Sequence, residues 1–147
     1  MTIEEISYNP LHIVLDSLFP SANGIAKNRE AYNDYKAKTF QNYTAVLSDV
    51  EIAPYDVPVG LLFIHHCKKI RDIDNFSVKF FIDTVLKYRF IKDDSHVYVP
   101  VITHIAFAAK SKEFSECYVA PLKEFVALRK TTEYNIIGLE KINEAKC

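Results

Sequence analysis

The sequence has few cysteines, and they are not placed as a disulfide framework or a zinc site requires. Cys67, Cys117 and Cys147 are odd in number and far apart, with no Cys-x-x-Cys pair and no histidine at zinc-finger spacing. The residues up to Ile6 are acidic rather than basic, and no apolar stretch approaches the roughly 20 residues that cross a membrane. These absences predict a cytoplasmic protein with free thiols and no membrane partner.

The sequence also lacks a strong excess of charge of either sign. Its 147 residues carry a formal net charge of -1, and the sequence pI is near 6.5. Attraction of the whole molecule to nucleic acid is therefore excluded, and such a partner requires a local basic patch. Hydrophobic residues make up 49% and charged residues 25% of the chain, which predicts one well-packed domain over residues 1–147 rather than a disordered chain.

The apolar patterns predict an α/β or α+β fold, a small mixed β-sheet with helices packed on it. Strands are predicted over residues 11–18, 59–66, 97–108 and 116–119. Helices are predicted over residues 29–47, 75–89, 120–129 and 136–146. The last two helices form a C-terminal helical extension over residues 121–147. The strand at 59–66 is expected at the centre of the sheet, and Pro100 is typical of a sheet edge or a bulge.

The densest acidic stretch follows the predicted central strand. It comprises Arg71-Asp72-Ile73-Asp74-Asn75, followed by Lys79, Asp83 and Asp93-Asp94. Alternate side chains of an extended segment share a face, so Asp72 and Asp74 are expected to point one way and Ile73 into the core. If the turn at residues 93–94 folds back beside them, a third carboxylate completes an oxygen-rich pocket. Such a pocket suits magnesium, or manganese in its place, against a phosphate.

The only dense cationic cluster directly precedes this acidic stretch. Lys68, Lys69 and Arg71 are expected either to contact the backbone of DNA, which adds affinity without sequence information, or to form a solvated strand end. Lys79 is expected one turn into a helix that begins at Asn75, where it reaches the acidic stretch or a bound phosphate. The placement of the two clusters side by side favours a nucleic-acid partner.

These residues resemble the RusA family of Holliday-junction resolvases. The family pattern is Arg-Asp-x-Asp-Asn, a helical lysine, a helical aspartate and then Asp-Asp-x-x-Val. The matching positions are residues 71–75, Lys79, Asp83 and residues 93–97. Residues 20–23, Pro-Ser-Ala-Asn, are similar to the family's Pro-Ser-x-Asn loop after its first strand, so the resemblance covers roughly residues 11–120. The family's lysine usually stands three residues after the asparagine, whereas Lys79 stands four after Asn75, which predicts a shifted helix start or a helical bulge.

The resemblance implies a RusA-like fold, a metal site and an activity. The family's metal-binding carboxylates correspond to Asp72, Asp74 and Asp94, and its catalytic lysine corresponds to Lys79. Asn75 and Asp93 are expected to orient these ligands. The implied protein is a magnesium-dependent, structure-selective endonuclease, active as a homodimer, that nicks branched DNA such as Holliday junctions. Its implied setting is recombination, repair or phage DNA processing in a bacterial or phage-infected cell.

Structural explanations compete with this assignment at single positions. Asp74 is also a candidate helix N-cap, worth about 1 kcal/mol, and Asp93-Asp94 is also a common turn pair. Asp83, four residues from both Lys79 and Lys87, is equally suited to an ion pair on the helix surface.

Two other functions stay open for the chain as a whole. One is a catalytically weak RusA-fold module that binds DNA or protein, which the near-neutral charge allows. The other is an Asp-x-Asp glycosyltransferase that holds a metal-bound nucleotide sugar at Asp72 and Asp74. The short chain and the downstream Asp93-Asp94 argue against the glycosyltransferase.

Overall fold

The computed structural model describes residues 1–133 and has an α+β fold, a mixed sheet with helices packed on it. The five strands are β1 (Ile3–Ser7), β2 (Leu11–Leu15), β3 (Val59–Cys67), β4 (Val101–Ala108) and β5 (Phe114–Pro121). The helices are α1 (Ala22–Lys27), α2 (Arg29–Leu47), α3 (Lys79–Phe81, a π-helical turn Ile82–Leu86, and Lys87–Arg89) and α4 (residues 122–133). The predicted fold class is confirmed. None of the helices within residues 1–133 has the length and apolar character to cross a membrane.

The strands are ordered β1-β2-β5-β3-β4 across the sheet. Neighbouring strands are antiparallel except β3 and β4, which run parallel from Gly60 opposite Val101 to Cys67 opposite Ala108. A parallel pair needs a long crossover connection, and α3 lies within it. β3 is an interior strand, as predicted, since it lies between β5 and β4, but β5 rather than β3 occupies the centre of the sheet. The expected sheet edge is confirmed as well, because Pro100 directly precedes the edge strand β4.

The two faces of the sheet are covered by different helices. On one face, Phe63 of β3 packs in the main core with Tyr43 of α2 and Phe81 of α3. On the other face, Phe125 of α4 lies directly against Gly60 of β3. A side chain at Gly60 would overlap the Phe125 ring, so glycine permits the close approach of helix and strand.

Several predicted element boundaries are wrong. β2 ends at Leu15 rather than residue 18, because the next residue, Asp16, turns to accept hydrogen bonds from Thr2. β4 begins at residue 101 rather than 97, because residues 98 and 99 donate to the carbonyl of Ser95 in a turn. β5 is longer than the predicted 116–119, and α4 begins at residue 122 because Pro121 still pairs with Val59 in the sheet. β1 was not predicted, and the predicted helix at 136–146 lies outside the described residues.

The long helix α2 matches its prediction, and α3 does not. α2 spans the predicted residues 29–47 and buries Thr39, Tyr43 and Leu47. The helix predicted from Asn75 begins only at Lys79, so Lys79 is its first residue rather than one turn inside it. The expected shift of the helix start is confirmed, and the π-helical turn lies beyond Lys79.

The segment before α3 is not the extended run that alternation predicts. Residues 73–75 form a 3-10 turn, and the flanking Asp72 and Phe76 have an extended backbone. Ile73, expected in the core, is 46% exposed. Phe76, which follows the turn, is buried instead. The alternation rule fails here because the backbone of a 3-10 turn does not place alternate side chains on one face.

Candidate active site at the acidic turn

The predicted site residues begin just after β3 leaves the sheet. The carbonyl of Asp72 accepts the N–H of Asn75 at 3.0 Å and closes the 3-10 turn. We call residues 72–75 the acidic turn. The side chains of Asp72 and Asp74 are both exposed. The turn therefore presents two carboxylates to solvent, two residues apart.

Helix capping does not explain the residues of the acidic turn. The N-cap position of α3 is Val78, so the alternative role of Asp74 as an N-cap is wrong. Asn75 does not cap the helix either, because its side-chain Oδ1 accepts the N–H of Asn23 at 3.3 Å. Asn75 instead links the acidic turn to the first turn of α1.

Arg71 anchors the acidic turn to its surroundings. Its Nη2 donates to the carbonyls of Phe19 and Asn75, each at 2.7 Å. The guanidinium also lies 4.0 Å from the centroid of the Phe76 ring, and that ring stacks on the buried imidazole of His65. Burial lowers the pKa of Arg71. The predicted contact of Arg71 with DNA stays a prediction, and the structure adds a positioning role.

The two segments that carry the resemblance lie side by side, although about 50 residues separate them in sequence. The N–H of Ser77 donates to the carbonyl of Pro20 at 2.8 Å, next to the bond between Asn23 and Asn75. Ser21, between them, caps α1 by accepting the N–H of Gly24 at 2.8 Å. We call residues 18–28, which include the short helix α1, the first loop, and its Pro-Ser-Ala-Asn part forms one wall of the candidate site.

Lys79 lies just beyond the acidic turn and is held only loosely. Its Nζ is 3.5 Å from the carboxylate of Asp83, and the Lys79 side chain is 82% exposed. The ion pair considered for Asp83 is therefore present. Because exposed pairs of this kind contribute little, Lys79 can turn from Asp83 to an incoming phosphate at small cost.

The predicted third carboxylate lies at the other end of α3. The Nζ of Lys87, in the last turn of α3, is 3.5 Å from Asp93 and 3.6 Å from Asp94. The N–H of Asp94 and the hydroxyl of Ser95 lower the pKa of Asp93 by hydrogen bonding to its carboxylate, as expected of a turn pair. Asp94 is therefore turned toward the last turn of α3, whereas the acidic turn precedes the first residue of that helix.

The cationic segment before the acidic turn is open to solvent. Lys68 and Lys69 are exposed, and the following Ile70 has no contact that covers its side chain. The backbone N–H of Lys68 donates to Glu113 at 2.9 Å, which ties the segment to the start of β5. The ammonium groups are thus free to meet a polyanion, and their DNA contact stays a prediction.

The donors at the acidic turn suit magnesium in type and exposure. No three of the histidine, cysteine, aspartate and glutamate side chains in residues 1–133 are grouped to hold a metal ion. Magnesium, however, keeps several waters and is commonly held by one or two carboxylates together with substrate phosphates. Asp72 and Asp74 match that pattern, and Asp94 does not join them within this chain.

A second polar cluster, on the other side of the sheet, was missed by sequence reasoning. The Nε2 atoms of His12 and His66 lie 2.9 and 2.7 Å from the two carboxylate oxygens of Glu116. Burial raises the pKa of Glu116, but the bonds from the two histidines outweigh it and lower the pKa to about 2. The imidazoles stack on Tyr118 and Phe114 respectively. Only the strand register brings these residues together.

Comparison with known proteins adds no relative to this description. No family model matches the chain, and none of the curated proteins matches it.

Proposed function

We propose that the chain is a magnesium-dependent endonuclease of the RusA type that nicks branched DNA by phosphodiester hydrolysis. The observation that carries this proposal is the contact between the first loop and the acidic turn. Asn23 and Asn75, each a member of one of the two resembling motifs, are joined by a hydrogen bond. Motifs that arose for unrelated structural reasons would have no cause to meet at one site.

Asp72 and Asp74 have the chemistry to hold the metal ion, which polarises the phosphoryl group and supplies a nucleophilic water when bound. Their exposure leaves room for the scissile phosphate and for the waters that magnesium retains. Arg71 and Asn75 keep the two carboxylates in place by fixing the end of the acidic turn at Asn75, whose carbonyl accepts from Arg71 and whose side chain accepts from Asn23. Such preorganisation is the main contribution a protein makes to phosphoryl transfer.

Lys79 is the electrostatic partner of the phosphate in this proposal. It exchanges its weak ion pair with Asp83 for the developing charge on the phosphoryl oxygens. Lys68 and Lys69 contact the neighbouring DNA backbone and fix the strand without reading its bases. These local cations supply the attraction that the net charge of -1 does not.

A homodimer suits this activity, since two sites related by two-fold symmetry cut opposing strands of a four-way junction. The dimer rests on the resemblance alone.

A second candidate function is a catalytically weak module of the same type that binds branched DNA without cutting it. The pairing of Asp94 with Lys87 favours this alternative, because it leaves the acidic turn with two carboxylates instead of three.

Cleavage of a synthetic four-way junction, beside a linear duplex of matching sequence, tests the proposal. The wild-type chain and Asp72→Asn are assayed with magnesium or manganese and then with a chelator. Asp49→Asn, at an exposed aspartate just after α2, is the matched control. Paired nicks in the junction that need both Asp72 and the metal, and that Asp49→Asn retains, support the endonuclease. Binding without any cleavage by well-folded wild-type protein replaces it with the binding module.

A further inference from the structure

A pocket of about 290 Å³ opens between the first loop and the beginning of α2. Its walls include Pro20, Ser21 and Ile25 of the first loop and the rings of Tyr32 and Tyr35 of α2. We call it the loop pocket. Its volume corresponds to roughly ten water molecules and to the lower end of the range for ligand pockets. It is therefore large enough for one flat ring system.

The loop pocket shares a wall with the acidic turn. Pro20 lines the pocket, and its carbonyl accepts the N–H of Ser77, just past the turn. Asn23, in the same short loop, donates to Asn75 within the turn. A strand whose phosphate lies at Asp72 and Asp74 thus has this pocket directly beside it.

The aromatic lining gives the pocket its chemistry. The rings of Tyr32 and Tyr35 lie nearly parallel, 16° apart in plane and 5.9 Å apart in centroid. The Nζ of Lys36 lies 4.9 Å from the centroid of Tyr32, which places a positive charge against one of the rings that line the pocket. Stacking rings beside a cation are the recurring means of holding a base next to its phosphate in single-stranded nucleic acid.

We propose that the loop pocket binds one unpaired base of a DNA strand whose phosphate lies at the acidic turn. The inference rests on the proposed function for its ligand, DNA, and it adds how branched DNA is selected. A base must leave the duplex stack to enter such a pocket, and this costs least where the base is already unpaired or poorly stacked. A branch point offers such bases and a continuous duplex does not.

Binding affinity tests this proposal without any need for cleavage. The probes are synthetic four-way junctions that carry one unpaired thymine at the branch point, placed on each strand in turn. The comparison probes carry an abasic site at the same position. Fluorescence anisotropy with the metal chelated gives the dissociation constants for wild type, Tyr32→Ala and Tyr32→Phe. Tyr88→Ala, which removes a 65% exposed aromatic ring on α3, is the matched control.

The wild-type chain is expected to prefer the thymine junction over the abasic one by roughly 5- to 100-fold, the range that one base–aromatic stack gives. Tyr32→Ala should lose this preference while binding the abasic junction as wild type does. Tyr32→Phe and Tyr88→Ala should keep it. A wild-type protein without the preference, or a Tyr32→Ala variant that retains it, overturns the proposal.

The outcomes also separate this pocket from the proposed nuclease. Junction cleavage that needs Asp72, together with no effect of Tyr32→Ala on the base preference, leaves the nuclease standing and removes the pocket. A base preference that depends on Tyr32, in a protein that never cuts, leaves the pocket standing and removes the nuclease. Circular dichroism and thermal unfolding of Tyr32→Ala show that its loss of preference is not a loss of fold.

Discussion

The ring of Phe76 lies parallel to the imidazole of His65, with 3.7 Å between the ring centroids and 2° between the planes. Because His65 occupies one face of that ring, the guanidinium of Arg71, 4.0 Å from the centroid, lies on the other. His65 is fully buried in β3. The acidic turn is therefore bounded by a three-layer stack that extends into the sheet, and its geometry depends on residues outside the turn itself.

Replacement of Arg71 by lysine is expected to lower the free energy of unfolding by about 1–3 kcal/mol. Lysine cannot reproduce the planar contact with Phe76, and it loses the donors that reach Phe19 and Asn75. Urea unfolding measures the change, with Lys69→Ala as a control that removes an exposed cation. An Arg71→Lys variant as stable as wild type contradicts the positioning role.

Buried His65, whose Nε2 lies 2.9 Å from Nδ1 of the half-buried His104, predicts a pH dependence of stability. Burial, and next the neighbouring His104, lower the pKa of His65 from 6.5 to about 3. Between these values the unfolded chain binds more protons than the folded chain, so this contribution to stability is complete above pH 6.5 and is lost as the pH falls toward 3. The loss by pH 4.5 is on the order of 2 kcal/mol.

The comparison of wild type with His65→Phe isolates this contribution. Phenylalanine keeps the stack on Phe76 and cannot take up a proton. Urea unfolding is measured at several pH values from 7.5 to 4.5. The free energy of unfolding should fall less steeply with pH for His65→Phe than for wild type. For His96→Phe, at an exposed histidine, it should fall as it does for wild type. Equal slopes for all three proteins would exclude a buried neutral imidazole at position 65.

The parts of the fold that local patterns determine were predictable from the sequence. The helix from Arg29 to Leu47 follows directly from the spacing of its apolar residues, and the apolar run in β3 marks an interior strand. β1 was missed because Glu4 and Glu5 interrupt its apolar residues, and its pairing with β2 is a tertiary contact. Propensity alone cannot show such a contact.

The candidate site was predictable only in its residue types. The order of the residues from Arg71 to Lys79 indicated an acidic site, but Ser77 donates to Pro20 and delays the start of α3. That bond joins segments far apart in sequence, so no local pattern predicts it. The pairing of Lys87 with Asp94 could not be predicted from the sequence either, because it depends on where the chain turns after the helix.

The carboxylate that bridges two histidines makes a second contribution to stability in acid. Glu116 has a pKa of about 2 against an ordinary 4.5, so its contribution is present above pH 4.5 and is lost as the pH falls toward 2. Glu116→Gln removes the charge and one acceptor oxygen from the contacts with His12 and His66. At pH 6 we expect it to lower the free energy of unfolding by about 1–3 kcal/mol. Glu5→Gln, exposed on β1, is the control and should have no effect.

The close approach of α4 to the sheet predicts a specific steric effect. Gly60→Ala places a methyl group where the Phe125 ring lies, and overpacking of this kind typically costs about 1–3 kcal/mol. The double variant Gly60→Ala with Phe125→Leu should recover part of the loss, since a smaller side chain then faces the new methyl group. If the double variant loses more free energy of unfolding than the two single variants lose together, the two residues are not in steric conflict.

The two ends of α3 predict unequal effects of two aspartate substitutions on cleavage. Asp72→Asn removes a carboxylate of the acidic turn and should lower junction cleavage by more than about 100-fold, since even partners outside the ligand set often cost 10–100-fold. Asp94→Asn removes a carboxylate that is turned to Lys87, near the far end of the helix, and should lower cleavage by less than about 10-fold. Initial cleavage rates at saturating magnesium measure both. Equal losses would mean that Asp94 joins the proposed metal site and that its pairing with Lys87 gives way.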